Sequence, residues 1–309
     1  MKQVIKILLA ILLWGYAPHI FCSFAYNHKA DLIVFSYDRP LQLYALLESI
    51  EQYVTGVDQI VVILRSSGAQ YKSAYSVLYE EFPAVKFVVQ DHKNAEKEFK
   101  SLLLTAFCNT QSSHVIFAVD DIIVTDRIDI SDCIEALEQS QAYAFYLRMG
   151  KNITYNYNKN RLLKVPLFSE VGAGIYRWKL VVSRCDAWNY PNTVDFALYR
   201  KRTILRDLQK MSYENPNKFE SYWYQNASSL KQVYGLCYEH SKIVNIPLNQ
   251  VQTVFANNKH MENFSTGMLL DLFNQGLKID IAALFQYKNT SVHMDYEPTF
   301  IQRKRKGLS

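Results

Sequence analysis

Apolar residues come in short unbroken runs through the first 150 positions, and each run is followed by a stretch with helical spacing. Leu32-Ile33-Val34-Phe35 is the first run. Ser36-Tyr37-Asp38-Arg39-Pro40 follows it, and then Leu43, Leu46, Leu47 and Ile50 recur three and four apart. Pro40 suits a first helical turn, and Asp38 can accept from the free amides there. Gln59 to Leu64 predicts a second strand and Arg65-Ser66-Ser67-Gly68 a turn. Tyr71 to Phe82 predicts a helix with Tyr75, Leu78, Tyr79 and Phe82 on one face. A third strand is expected at Val85 to Val89, then a helix from about Ala95 to Phe107. The fourth strand, His114 to Val119, ends directly in Asp120-Asp121. A helix over Ile130 to Gln139 and a strand over Tyr143 to Leu147 complete this half.

Strand and helix in alternation imply an α/β fold, and continuously apolar strands imply a mostly parallel sheet flanked by helices on both faces. Ligands of such sheets bind beyond the carboxyl ends of the strands. Ser36 to Arg39, Arg65 to Gly68 and Asp120-Asp121 all fall at those ends and should line one cleft. The second half is less regular. It predicts a strand at Val181-Val182 and helices over Val194 to Gln209, Phe219 to Tyr234 and Met268 to Gln275. The tail after Asn289 has no periodicity. With no Pro-, Gly- or Ser-rich linker, the simplest organisation is one domain with an elaborated C-terminal half.

Composition changes this picture little. The 309 residues carry a formal net charge of +5, part of it in Arg303-Lys304-Arg305-Lys306, and no basic face argues for nucleic acid. The start does add something. Lys2 and Lys6, an apolar run from Ile7 to Trp14 and Ser23-Phe24-Ala25 have the layout of a signal peptide over residues 1–25, or of a short membrane anchor. Export or membrane association would follow, with the cytoplasmic face open to an anchored form. Cys22 falls in that leader. Cys108, Cys133, Cys185 and Cys237 are too scattered for a zinc cluster, and their spacing pairs none of them. Asn152, Asn226, Asn263 and Asn289 each begin an N-x-S/T sequence.

Asp120-Asp121 is the sharpest chemical feature. Adjacent carboxylates at the end of a buried strand repel each other and are costly to desolvate, and Mg²⁺ or Mn²⁺ would offset both effects while bridging to a diphosphate. A solvated turn is the plain alternative.

Three segments resemble glycosyltransferases of the GT-A fold, most of all their family-two-like bacterial members. Phe35-Ser36-Tyr37-Asp38-Arg39-Pro40-Leu41 resembles the opening strand and turn that contact the nucleotide. Val119-Asp120-Asp121 resembles the D-x-D region, although the pattern here is Asp-Asp-Ile-Ile. Ser291-Val292-His293-Met294 resembles a late segment with a metal-binding histidine. The resemblance implies a Rossmann-like fold, with residues 30–150 binding a nucleotide-sugar and 151–309 binding a glycan or other hydroxyl-bearing acceptor. It implies Asp121 and His293 as metal ligands, and Asp120 near the ribose or a metal-bound water. Ser36, Tyr37, Asp38 and Arg39 would line the nucleotide pocket. Arg65, where many relatives carry an acid, could meet the diphosphate or Asp38, and Lys100 is a further diphosphate candidate. An inverting reaction would also need a carboxylate base, with Asp186, Asp195 and Glu220 as candidates. Motifs of P-loop, dinucleotide-binding, zincin and serine-hydrolase enzymes are missing. A nucleotidyltransferase and a non-catalytic carbohydrate-binding protein on a degenerate transferase scaffold are the rival readings.

Overall fold

The computed structural model describes Cys22 and residues 24–304, apart from 173, 185, 228–229, 231–232 and 253–258. The leader segment before Cys22 and Cys185 therefore lie outside the described residues. A nine-stranded sheet forms the centre. Its strands are β1 (Ala25–Tyr37), β2 (Val57–Arg65), β3 (Val85–Val89), β4 (Ser112–Val119), β6 (Ala144–Gly150), β7 (Phe168–Gly172), β8 (Ile175–Leu180), β9 (Ala197–Arg200) and β10 (Val233–Tyr238). They lie in the order β7-β8-β10-β6-β9-β4-β1-β2-β3. β1 is parallel to β2 and β4, and β2 to β3. β9 is antiparallel to both β4 and β6, and β8 is antiparallel to β7 and β10. The short strands β5 (Ile122–Val124) and β11 (Ile243–Asn245) pair antiparallel outside this sheet.

Alternate residues of β1 enter two separate cores, as a two-residue side-chain period demands. Leu32 and Val34 join the helices α1 (Pro40–Tyr53), α2 (Ala69–Glu81), α4 (Ile130–Ser140) and α7 (Thr266–Asn274). Ile33 and Phe35 join α3 (Ala95–Asn109), α5 (Lys201–Lys210) and α6 (Pro216–Asn226) on the opposite face. This double cover is the α/β architecture that the apolar runs imply.

The second half departs from its expected elements. The strand expected at Val181-Val182 is β8, which ends at Leu180, and Val182–Arg184 is a 3-10 turn. The span read as one helix from Val194 begins instead with β9, and only Lys201–Lys210 is helical. Likewise Phe219 to Tyr234 divides into α6 and the start of β10. In both cases a helix abuts a short buried strand. The apolar spacing of Ile204 and Leu208 continues into Ala197-Leu198, so the period alone cannot mark the boundary.

Cys22, assigned to the leader by sequence, is disulfide-bonded to Cys108, so cleavage after Ala25 would remove a bonded partner. Cys133 and Cys237 are buried free thiols. Asn152 and Asn289 are held by Ser241: the Ser241 amide donates to Asn152 Oδ1, and its hydroxyl donates to Asn289 Oδ1. Among the described residues, no helix is long and apolar enough to cross a membrane.

Candidate functional site

Parallel strands β1, β2 and β4 end side by side, with Tyr37 opposite Arg65 and Phe35 opposite Val119. The turns after them converge as expected. The Arg65 guanidinium lies 3.8 Å from the centre of the Tyr37 ring, and His92 stacks near that ring. Asp38 adopts a left-handed φ of 52° and its carboxylate accepts from the Ser67 amide at 2.8 Å. A non-glycine residue there costs about 1–3 kcal/mol and persists only where neighbours impose it. Ser36 Oγ bonds the buried Tyr75 hydroxyl at 2.7 Å, and that hydroxyl also accepts from the Arg39 amide.

Arg39 organises the acids. Its Nη1 donates to Asp120 Oδ1 at 3.0 Å and to Asp121 Oδ2 at 3.4 Å. Nε reaches Asn249 Oδ1 at 3.0 Å, and Nη2 donates to the Asn249 carbonyl. Burial opposes the charge on Arg39, and the two aspartates more than offset it, so its pKa is raised. Asp120 is buried and also accepts from the Tyr37 amide. Burial pushes its carboxyl up to about 6, Arg39 pulling it down and Asp121 pushing it up. Asp121 keeps more of its carboxylate open, with 15% of the side chain exposed against 5% for Asp120.

A second acid arrives from the far half of the chain. Because β9 runs antiparallel, its amino end lies at the same edge as the carboxyl ends of β4 and β6. Asp195 stands just before β9 and pairs with Arg148, which follows the buried Leu147 in β6. Phe196, next to it, is also left-handed, with φ of 53°. Asn245, at the end of β11, joins the two acids: its Nδ2 lies 3.1 Å from Asp121 Oδ1 and 3.5 Å from Asp195 Oδ1. His293 pairs by backbone with Asn245. Burial lowers its pKa, while Asp195 and Asp121 act to raise it. Glu220 Oε1 accepts from Thr193 Oγ1 at 2.7 Å and from the Val194 amide at 3.0 Å. Burial pushes Glu220 up to about 7, with Asp195 adding to the rise and Arg148 opposing it.

Ser36, Tyr37, Asp38, Arg39, Arg65, Asp120, Asp121, Asp195, Glu220 and His293 are thus gathered at one edge of the sheet. Two other candidates are occupied elsewhere. Lys100 donates to the Gln209 and Met211 carbonyls at the end of α5, and Asp186 caps the 3-10 turn Ala187–Asn189 through the Trp188 amide. Among the described residues, no three His, Cys, Asp or Glu side chains form a group able to hold a metal. The buried Oδ1 of Asn245 has no partner. Sequence reasoning missed Arg148, Asn245 and Asn249. The signal for Asn245 was the rule that found Asp120-Asp121, a polar residue closing a buried apolar strand, whereas Arg148 interrupts the apolar run of β6 from within.

No family model matches the chain. It is 25% identical, over 306 residues, to the bifunctional glycosyltransferase pgtA of Dictyostelium discoideum, a match covering 87% of this chain and 38% of that protein. The chain thus spans well under half the length of this curated relative. Among solved structures, it is similar to S. aureus TarS 1-349 in complex with UDP-GlcNAc at 12% identity, over 83% of this chain and 69% of that one, with a TM-score of 0.43. It is also similar to the mannosyltransferase PcManGT from Pyrobaculum calidifontis in complex with GDP-Man and Mn²⁺, at 11% identity, over 66% and 53%, with a TM-score of 0.36.

Proposed function

We propose that this chain is a glycosyltransferase domain that moves a sugar from a nucleotide-sugar to an acceptor hydroxyl. One observation carries the reading: Asn245 bridges Asp121, beside the nucleotide-side turns, and Asp195, beside the far half of the chain. The contact of both carboxylates with one amide supports a reading in which each serves one side of a displacement. The sequence relationship to pgtA, itself a glycosyltransferase, supports the same class. The GT-A, family-two-like assignment belongs to this proposal and rests on the Ser36–Arg39 turn meeting Asp120.

In the reaction, the bond from the anomeric carbon to the diphosphate breaks and its electron pair leaves on the diphosphate oxygen. The acceptor oxygen forms the new bond, and its proton passes to Asp195. Arg148 and Asn245 hold Asp195 in position for this transfer. Tyr37 and Arg65 offer a stacking surface to the nucleotide. Arg39, fully engaged by Asp120, Asp121 and Asn249, keeps the acid pair together instead of reaching out to the donor. Asp121, with His293 adjacent, would hold a Mg²⁺ or Mn²⁺ only together with the donor's phosphates, because such ions commonly use one or two protein carboxylates plus substrate phosphates. The ion would supply charge stabilisation for the departing diphosphate.

Calorimetric titration of UDP-, GDP- and CMP-sugars, with and without Mn²⁺, tests the proposal. One donor should bind the wild type, more tightly with Mn²⁺, and Asp121→Ala should lose the Mn²⁺ dependence. Failure of every donor to bind would overturn it.

A further inference from the structure

A cavity of about 370 Å³ opens beside the acids and is formed wholly by the second half of the chain. Its lining includes Tyr155, Tyr157, Tyr287, Lys259, Lys288 and His293. None of it comes from the turns after β1, β2 and β4, so it is separate from the surface offered by Tyr37 and Arg65. Its link to the acids is direct. His293 is one wall, and the same segment holds Asn245 through Asn245 N–H to Val292 O at 3.0 Å and Met294 N–H to Asn245 O at 3.1 Å. The volume lies within the range of small-ligand sites.

The tyrosines are arranged to bind a polar molecule that has an apolar face. The Tyr155 hydroxyl donates to Asn160 and the Tyr157 hydroxyl to Asp295, which fixes both rings. The Lys259 ammonium lies 5.4 Å from the centre of the Tyr157 ring. Tyr287 is 46% exposed and leaves its ring open to a ligand. Fixed tyrosines give large amphipathic contact at low cost in side-chain entropy. The exposed side chain of Thr290 adds a hydroxyl along one wall.

We propose that this cavity is the acceptor subsite and that its ligand is the terminal sugar of a glycan, with the reacting hydroxyl directed past His293 toward Asp195. This rests on the glycosyltransferase reading. The tyrosines supply contact to the C–H surface of the sugar ring, and Lys259 and Lys288, which line the same cavity, contact the next residue of the glycan.

Saturation-transfer NMR with p-nitrophenyl glycosides of glucose, galactose, N-acetylglucosamine, fucose and glucuronic acid provides one test. The ratio of sugar transfer to donor hydrolysis with the same glycosides provides another. Two variants are used: Tyr287→Ala, which removes contact surface, and Thr290→Trp, which fills the cavity from an exposed position. At least one glycoside should bind the wild type, and both variants should lower its binding and the transfer-to-hydrolysis ratio by about tenfold. A wild type that hydrolyses donor while no glycoside binds would overturn the subsite and leave the transferase reading standing. Binding and ratio unchanged in both variants would do the same. If no donor is turned over, the transferase reading falls and the acceptor role falls with it.

Discussion

Replacing Arg39 by methionine keeps most of the buried stem and removes the guanidinium that touches both Asp120 and Asp121. In the wild type, Asp120 titrates at about 6, above its unfolded value of about 3.9. The native state therefore binds this proton more readily than the unfolded chain. The corresponding stabilisation is complete below about pH 4 and is lost as the pH rises through about 6. The shift of about two units corresponds to about 3 kcal/mol across that window. Without Arg39, the opposing influences of burial and Asp121 remain, and the loss extends to higher pH. Breaking a buried ion pair on one side costs about 3–5 kcal/mol. Urea unfolding at pH 8 should therefore show Arg39→Met less stable by about that amount, and at pH 5, where Asp120 holds its proton, the gap should be roughly half as large. An equal gap at both pH values, or no gap at pH 8, would refute the assignment of Arg39 as counter-ion to a buried acid.

Glu220→Gln should keep the acceptor oxygen that holds Thr193 and Val194, leaving kcat within a few-fold of wild type, whereas Glu220→Ala should release the approach to Asp195 and lower kcat by about 10–100-fold with little change in donor KM. If the two variants are equally damaged, and the pH limb near 7 disappears in the glutamine variant, Glu220 is acting through its charge. Lys201, fully buried, donates to Asp31, to the Phe107 carbonyl and to Thr110. Lys201→Ala should cost about 3–5 kcal/mol in urea unfolding by stranding Asp31, and Asp31→Leu combined with Lys201→Met should recover much of it. A Lys201→Ala stability within about 1 kcal/mol of wild type would contradict the pairing.

The first half was legible because each buried strand there is an apolar run closed by a polar turn, and because parallel strands must expose their carboxyl ends at one edge. Ser36, Arg39, Arg65 and Asp120 group together on that basis from the sequence alone. Asp195 could be named as an acid but not placed, because β9 is four residues long and merges into the apolar spacing of α5. Its antiparallel direction, which brings Asp195 to the cleft, is a matter of long-range pairing that no local pattern records. Asn249 stays hidden for the same reason: its meaning lies in its contacts with Arg39, 210 residues away. Lys100 shows the opposite case, a cation on a plausible helix whose ammonium is committed to the end of α5.

We propose that Asp121 and Asp195, joined by Asn245, serve as the donor-side and acceptor-side carboxylates of one transferase site. Release of nucleoside diphosphate from UDP- and GDP-sugars in the presence of Mn²⁺ and a p-nitrophenyl glycoside tests it most directly. The wild type should release diphosphate from at least one donor, and Asp195→Asn should bind that donor normally while transferring sugar at least about a hundredfold more slowly. Equal transfer by Asp195→Asn and wild type, or no release from any donor, would contradict the account.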